Sequence, residues 1–103
     1  MSMQTKTPDA IAEIKLLSTE EGGRSHAIGM KVQYGCPLLI DSEYFDARFN
    51  FSSPVSPGEI AVSPVWFLSP ELVIPKLEIG KQFSLWEGKI IGHGRFIEIP
   101  ENT

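Results

Sequence analysis

Three side chains could ligate a soft metal or act in nucleophilic catalysis: His26, His93 and Cys36. A structural zinc site needs four such groups, including at least one pair close in the sequence, and these three do not supply it. A cysteine and a histidine can also form a nucleophile pair, but Cys36 lacks any local signature of one and stands directly before Pro37. We therefore expect no metal, and we expect Cys36 to be a half-buried, unreactive thiol.

Other motifs are equally poor matches to catalytic sites. Glu20 and Glu21 form an acidic pair, but glycoside cleavage needs a cleft between two such groups, so we expect both to be solvated. Gly92-His93-Gly94 is not a dinucleotide fingerprint because no helix follows it, and we expect an exposed imidazole there. The chain has no GxxxxGK[ST] phosphate loop. The sequence thus predicts no enzyme, no cofactor and no bound nucleotide.

Aromatic and arginine side chains favour a function in binding, because Trp, Tyr and Arg dominate the energetics of many protein interfaces. Tyr44 and Arg48 alternate with phenylalanines, so a strand would place both on the face opposite those rings. Trp86 and Tyr34 lie in other apolar segments. The alternative is that all four side chains only decorate the outside of a barrel.

Short strands would position these residues. Between Tyr44 and Phe51, four apolar residues alternate strictly with polar ones, which predicts a half-buried strand with the phenylalanines inward. From Gly80 to Ile99 we predict a β-hairpin with Phe83 and Leu85 on one side, Ser84 and Trp86 on the other, and its turn at Glu87-Gly88-Lys89. The glycines around His93 predict a bulge or a close backbone approach.

The remaining apolar runs are short as well. Ala10–Leu17 is predicted as a strand, although a helical face would also fit it. Glu59–Leu68 is a strand if Pro64 lies at an edge or a bulge. Met30–Tyr34 is a short extended segment that ends at Gly35-Cys36-Pro37, which we interpret as a chain breaker. With no convincing amphipathic helix, the pattern predicts an all-β barrel or sandwich.

Composition limits the organisation and the partners. A chain of 103 residues with 42% hydrophobic content fits one globular domain. A net charge of -4 disfavours RNA binding by the surface as a whole. The sequence has one cysteine, no N-terminal signal with a basic and then an apolar region, and no 18-residue apolar run. It therefore predicts a soluble cytoplasmic protein without membrane contact. We expect loose tails at residues 1–9 and 100–103 around a domain of residues 10–99.

Several motifs follow one another in a fixed order over nearly the whole chain. They are AEIKLLSTEEGGR at Ala12–Arg24, Pro57-Gly58, Val65, Phe67, Pro70, Gly80-Lys81-Gln82-Phe83, Glu87-Gly88 and Gly92-His93-Gly94. The ordered set resembles the third, C-terminal domain of translation elongation factor Tu. That resemblance implies a closed six-stranded antiparallel barrel of Greek-key type. In the translation factor this domain helps to grip the T stem of aminoacyl-tRNA and contacts the GTPase domain and the exchange factor.

Individual residues carry the resemblance further. Arg24 matches the end of the family's Gly-Gly-Arg loop, and Glu87 and Gly88 match its hairpin turn, near the tRNA-facing surface. The departures are large: the histidine expected after Gly-Gly-Arg is Ser25, with His26 next to it. The basic residues of the turn are reduced to Lys89. A segment of the family rich in Phe and Tyr is replaced by Met30–Ile40, and about four residues are added between Pro70 and Gly80.

We therefore expect a non-enzymatic barrel that binds a protein and occupies a surface that normally recognises elongation factor Tu, as an antitoxin, inhibitor or assembly module would. The alternative is an RNA- or tRNA-binding accessory protein of translation. The predicted binding residues are Arg24, His26, Trp86, Glu87, Gly88 and Lys89, with Tyr44 and Arg48 as a second face. If Trp86 faces outward, truncating it or Arg24 is expected to weaken binding without lowering stability.

Overall fold

The computed structural model describes residues 7–29 and 33–100. Its strands are β1 (Ala10–Leu16), β2 (Tyr34–Ile40), β3 (Glu43–Phe49), β4 (Ile60–Phe67), β5 (Gln82–Trp86) and β6 (Ile90–Glu98). They close into one antiparallel barrel with the order β1-β4-β3-β2-β5-β6. Because β2, β3 and β4 are successive neighbours and β1 returns beside β4, the connection is a Greek key. The predicted all-β class and closed six-stranded barrel are confirmed.

Strand β3 shows why alternation determines the inside of the barrel. Ala47, Phe49 and Phe51 are buried, and Phe45 packs partly buried against the same core. The rings of Phe49 and Phe51 stack with centroids 5.6 Å apart. The predicted inward face of this segment is therefore confirmed, although the strand itself ends at Phe49.

The predicted hairpin is formed by β5 and β6. Phe83 and Leu85 are buried, whereas Trp86 is half-buried on the opposite, outer face. The pairing shifts register between Leu85 and Trp86, as a β-bulge does. A Cβ at Gly94 would lie 2.5 Å from the Phe83 ring, so this position admits only glycine. This hairpin thus contains both features that the glycines predicted, a bulge and a close approach to the backbone.

The prediction of a breaker at Gly35-Cys36-Pro37 is wrong, because β2 runs through all three residues. The Leu68 amide donates to Asp46 O, so the even residues of β3 bond toward β4 and its odd residues toward β2. Pro37, opposite Asp46, therefore turns its nitrogen toward β5, where the pairing stops at Leu38. Its missing N–H falls where no ladder partner is needed.

Pro64 has the same solution in β4. The pairing of β3 with β4 ends at Phe49 and Val65, one residue before the proline. The free amide of Asn50 donates to Ser63 Oγ at 3.0 Å instead. Pro64 thus lies just beyond the end of the β3–β4 pairing. Its nitrogen needs no hydrogen-bond partner there, as at the predicted sheet edge, although the barrel is closed.

The connection from β4 to β5 contains one turn of α-helix, α1 (Pro70–Val73), and a 3-10 turn (Ile74–Lys76). Pro70 stands in the first turn of α1, where its missing N–H costs nothing, and Val73 is buried. This helical turn was not predicted, since four residues are too few to show a helical period. Within the two described ranges, no helix combines the length and the apolar character of a membrane span.

The N-terminal segment joins the barrel earlier than predicted. Asp9 is buried, its carboxylate accepts a hydrogen bond from the Phe67 amide at 2.8 Å, and its own amide donates to Val65 O at 2.9 Å. Residues 1–6 of the predicted N-terminal tail, 30–32 of the predicted extended segment and 101–103 of the C-terminal tail lie outside the described residues.

Candidate binding surface

The loop after β1 is fixed by hydrogen bonds between Ser18 and Glu21. The Ser18 amide donates to Glu21 Oε1 at 2.9 Å, and the Glu21 amide donates to Ser18 Oγ at 3.1 Å. Hydrogen bonding of the Glu21 carboxylate by the Ser18 amide and by the Ser18 hydroxyl lowers the pKa of that carboxyl. A Cβ at Gly23 would lie 2.3 Å from Leu17 O, so only glycine fits there. Glu21 is thus a structural residue rather than one of two free acids, and the loop holds Arg24 in a defined position.

Arg24 forms an ion pair with Glu87 across the gap between this loop and the hairpin turn. The Tyr34 hydroxyl donates to the same Glu87 oxygen, and the guanidinium lies over the Tyr34 ring, 5.6 Å from its centroid. Burial, the neighbouring Cys36 thiol and the hydrogen bond to Glu87 raise the pKa of Tyr34 well above its ordinary value. The Arg24 side chain is only 24% exposed, so it holds the loop to the hairpin as well as facing the surface.

The loop and the hairpin turn enclose a depression of about 440 Å³. Arg24, His26, Glu87 and Lys89 line it, as the resemblance implied they would. Gly88 forms the turn between the last two with a positive φ of 73°. Four of the predicted binding residues are therefore neighbours in one depression. Two come from the loop and two from the hairpin turn, more than 60 positions further along the chain.

Trp86 does not line this depression. Its ring packs edge-on against Tyr44 on the outer face of the barrel, with centroids 5.5 Å apart at an interplanar angle of 62°. Tyr44 is 54% exposed. The contact joins β5 to β3 across the outer face of β2, because β2 lies between them in the barrel. Trp86 thus lies with Tyr44, and its predicted place in one patch with Arg24, His26 and Lys89 is wrong.

Arg48 takes no part in this aromatic pair. Its guanidinium lies against Gly35, where an added Cβ would be 2.5 Å from Arg48 Nη1, and Nη1 donates to Ala47 O at 3.1 Å. Tyr34, by contrast, belongs to the cluster around Arg24, and only its residue type indicated a role. A sequence without an alignment does not show that a strand brings Tyr34 to the hairpin turn.

The residues considered for metal or covalent chemistry lie in three different environments. His26 lines the depression, His93 is exposed next to Ser84, and Cys36 is buried and free. In the part of the chain that the structure describes, no three His, Cys, Asp or Glu side chains come together as metal ligands. Burial raises the pKa of the Cys36 thiol to about 11, so the thiol stays protonated at neutral pH.

Fold and surface together define a small closed antiparallel barrel with an aromatic pair on its outer wall and an ion pair beside it. No protein-family model matches the chain, and a search of curated proteins finds no similar sequence.

Proposed function

We propose that this protein is a non-enzymatic binding module that presents the surface formed by Trp86, Tyr44 and the Arg24–Glu87 depression to another protein. We further propose that it mimics or competes with the C-terminal domain of elongation factor Tu, as an inhibitor, antitoxin or assembly module. The cytoplasm is its proposed compartment, since the free Cys36 would remain reduced there.

The observation that carries this proposal is the contact between Trp86 and Tyr44. Large aromatic side chains on an outer wall bury much area when a partner docks, and they lose little conformational entropy because few of their bonds rotate. The rings already support each other, which lowers the cost of ordering them. Charged and polar groups of the adjacent depression would form the rim of such an interface.

The Arg24–Glu87 ion pair favours a protein partner over RNA. An RNA backbone is bound by several exposed cations, and here the guanidinium of Arg24 is half-buried in its ion pair with Glu87. Lys89 is the other cation that lines the depression, and the net charge of the chain is -4. One lysine and one histidine supply too little positive charge for a strong grip on a tRNA stem.

Binding titrations would separate the two functions. We expect the chain to bind the exchange factor or the isolated GTPase domain of elongation factor Tu, with an affinity that salt changes little. Trp86→Ala should weaken this binding by tenfold or more. Ile79→Ala is the matched control, since Ile79 is 70% exposed and lies outside the proposed surface. Binding to a T-stem RNA hairpin that weakens steeply with salt would instead favour the RNA-binding alternative.

A further inference from the structure

A second groove lies on another part of the barrel wall, across the outer face of β1, β6 and β5. It measures about 570 Å³, which is within the range of small-molecule sites. The register of the strands places Lys15, His93 and Ser84 side by side in one row across these three strands. Glu13, Arg95 and Gln82 form the next row.

Hydrogen bonds within these rows leave donors free at the centre of the groove. Ser84 Oγ and His93 Nδ1 share a hydrogen bond of 3.0 Å. When the hydroxyl donates it, Nε2 of the exposed imidazole carries the ring proton and can donate to a ligand. Arg95 uses its Nε on Glu13, at 3.2 Å, and keeps its terminal nitrogens. Lys15 is in none of the ion pairs formed by the described residues. The groove thus offers donors from the Lys15 ammonium, which the Glu21 carboxylate also attracts, and from one guanidinium and one imidazole.

The spacing of these donors suits a single anionic head group. Side chains directly opposite on paired strands have Cβ atoms about 5 Å apart, and residues two apart on one strand are separated by about 7 Å. Lys15, His93 and Arg95 therefore form a triangle that one phosphate or carboxylate group could bridge. The acids of the groove are already neutralised: Glu13 by Arg95, and Asp41 by Lys81 at 2.7 Å.

Apolar side chains stand at both ends of the polar row. Leu39 pairs with Ser84 on one side, and Ile60, which is 63% exposed, pairs with Lys15 on the other. We propose that this groove binds a small organic anion whose phosphate or carboxylate head contacts Lys15, His93 and Arg95 and whose apolar body covers Leu39 or Ile60. This site does not involve Trp86 or Arg24, so it stands independently of the proposed protein-binding surface.

Nuclear magnetic resonance titration with phenyl phosphate, benzoate and inorganic phosphate tests the site. We expect phenyl phosphate or benzoate to give saturable shifts at His93 and Lys15, and inorganic phosphate to bind more weakly because it has no apolar body. Lys15→Gln and His93→Gln should each weaken binding about tenfold, the loss typical of one charge-assisted hydrogen bond. Lys89→Gln, at the separate depression, should leave it unchanged.

Two results would overturn the proposal: no saturable shift in the groove with any of the three probes, or equal affinities for the wild type and Lys15→Gln. Lys15 is exposed, so its substitution should leave the fold intact, and the melting temperature of each variant verifies this. Response to benzoate alone or to phenyl phosphate alone would identify the head group as a carboxylate or a phosphate. Loss of this site would leave the titrations with the exchange factor unaffected.

Discussion

Phe49 and Asp46 are three residues apart on β3, one fully buried in the barrel and the other exposed on its wall. Phe49 packs between Phe51 and Tyr34, with ring centroids 5.6 and 6.2 Å away. We expect Phe49→Ala to lower the free energy of unfolding by about 3–5 kcal/mol, because it removes a buried ring and leaves a cavity. Asp46→Ala should change it by less than about 0.5 kcal/mol. Urea titration of both variants checks this, and a Phe49→Ala protein as stable as wild type would refute the register.

Arg24 has a stabilising role that the sequence did not indicate. Its ion pair with Glu87 joins side chains that are 24% and 28% exposed, whereas Arg95 and Glu13 are 56% and 38% exposed. We expect Arg24→Ala to cost about 1–2 kcal/mol, since Glu87 loses a charged hydrogen-bond partner in a half-buried place. Arg95→Ala should cost less than about 1 kcal/mol because water screens its pair.

A double-mutant cycle isolates the contribution of this pair. Arg24→Ala combined with Glu87→Ala should destabilise by clearly less than the sum of the two single changes, if the ion pair acts as a unit. Strict additivity in thermal or urea unfolding would show that the pair contributes nothing. Binding data for Arg24→Ala therefore need a matched stability measurement, in contrast to the expectation from the sequence.

Cys36 makes stability depend on alkaline pH. Burial raises its pKa from 9.0 to about 11. Between these values the unfolded chain has lost the thiol proton and the folded chain keeps it, so the free energy of unfolding falls as pH rises. A shift of this size corresponds to ~2–3 kcal/mol at most. Urea midpoints measured across this range should fall less for Cys36→Ala than for wild type, and equal slopes would contradict the assignment.

At the scale of elements, two hairpin turns place different residue types at positive φ. Asp41 and Ser42 join β2 to β3 with positive φ values of 50° and 69°, whereas Gly88 adopts φ 73° in the turn from β5 to β6. Such angles cost a residue with a Cβ roughly 1–2 kcal/mol relative to glycine, part of which glycine loses again in chain entropy.

We therefore expect Ser42→Gly to raise the free energy of unfolding by up to ~1 kcal/mol, and Gly88→Ala to lower it by about 1 kcal/mol. An added Cβ at Gly88 would have no heavy atom within 4 Å, so the cost there comes from the backbone alone. Thermal unfolding of the two variants in parallel tests this. A loss of stability in Ser42→Gly would show that the positive φ of Ser42 does not lower the stability of the protein.

Strands with one face inside the barrel could be predicted from the sequence, because apolar residues alternate with polar ones where every second side chain is buried. The segment from Tyr44 to Phe51 and the hairpin after Gly80 are examples. The predicted chain breaker at Pro37 was wrong, since the effect of a missing N–H depends on which neighbouring strand it faces. That depends on strand order and ladder length, which are properties of the assembled barrel.

At the scale of the whole molecule, closure of the barrel creates the candidate surface. The Arg24 loop and the Glu87 turn were predicted to be neighbours from the resemblance, and they are. The contact of Trp86 with Tyr44 could not be predicted, because it requires β2 to lie between β5 and β3. The groove at His93 depends in the same way on the pairing of three strands that are distant in sequence.

Competition with elongation factor Tu for a shared protein partner is the function that we propose for this barrel. A competition experiment tests it: the chain is added to the complex of intact elongation factor Tu with its labelled exchange factor, and fluorescence anisotropy measures the displacement. We predict that the wild-type chain displaces the factor at stoichiometric excess, and that Trp86→Ala needs at least about tenfold more protein to do so. No displacement at any concentration together with no binding to the isolated GTPase domain, or equal displacement by Trp86→Ala, would refute the proposed competition.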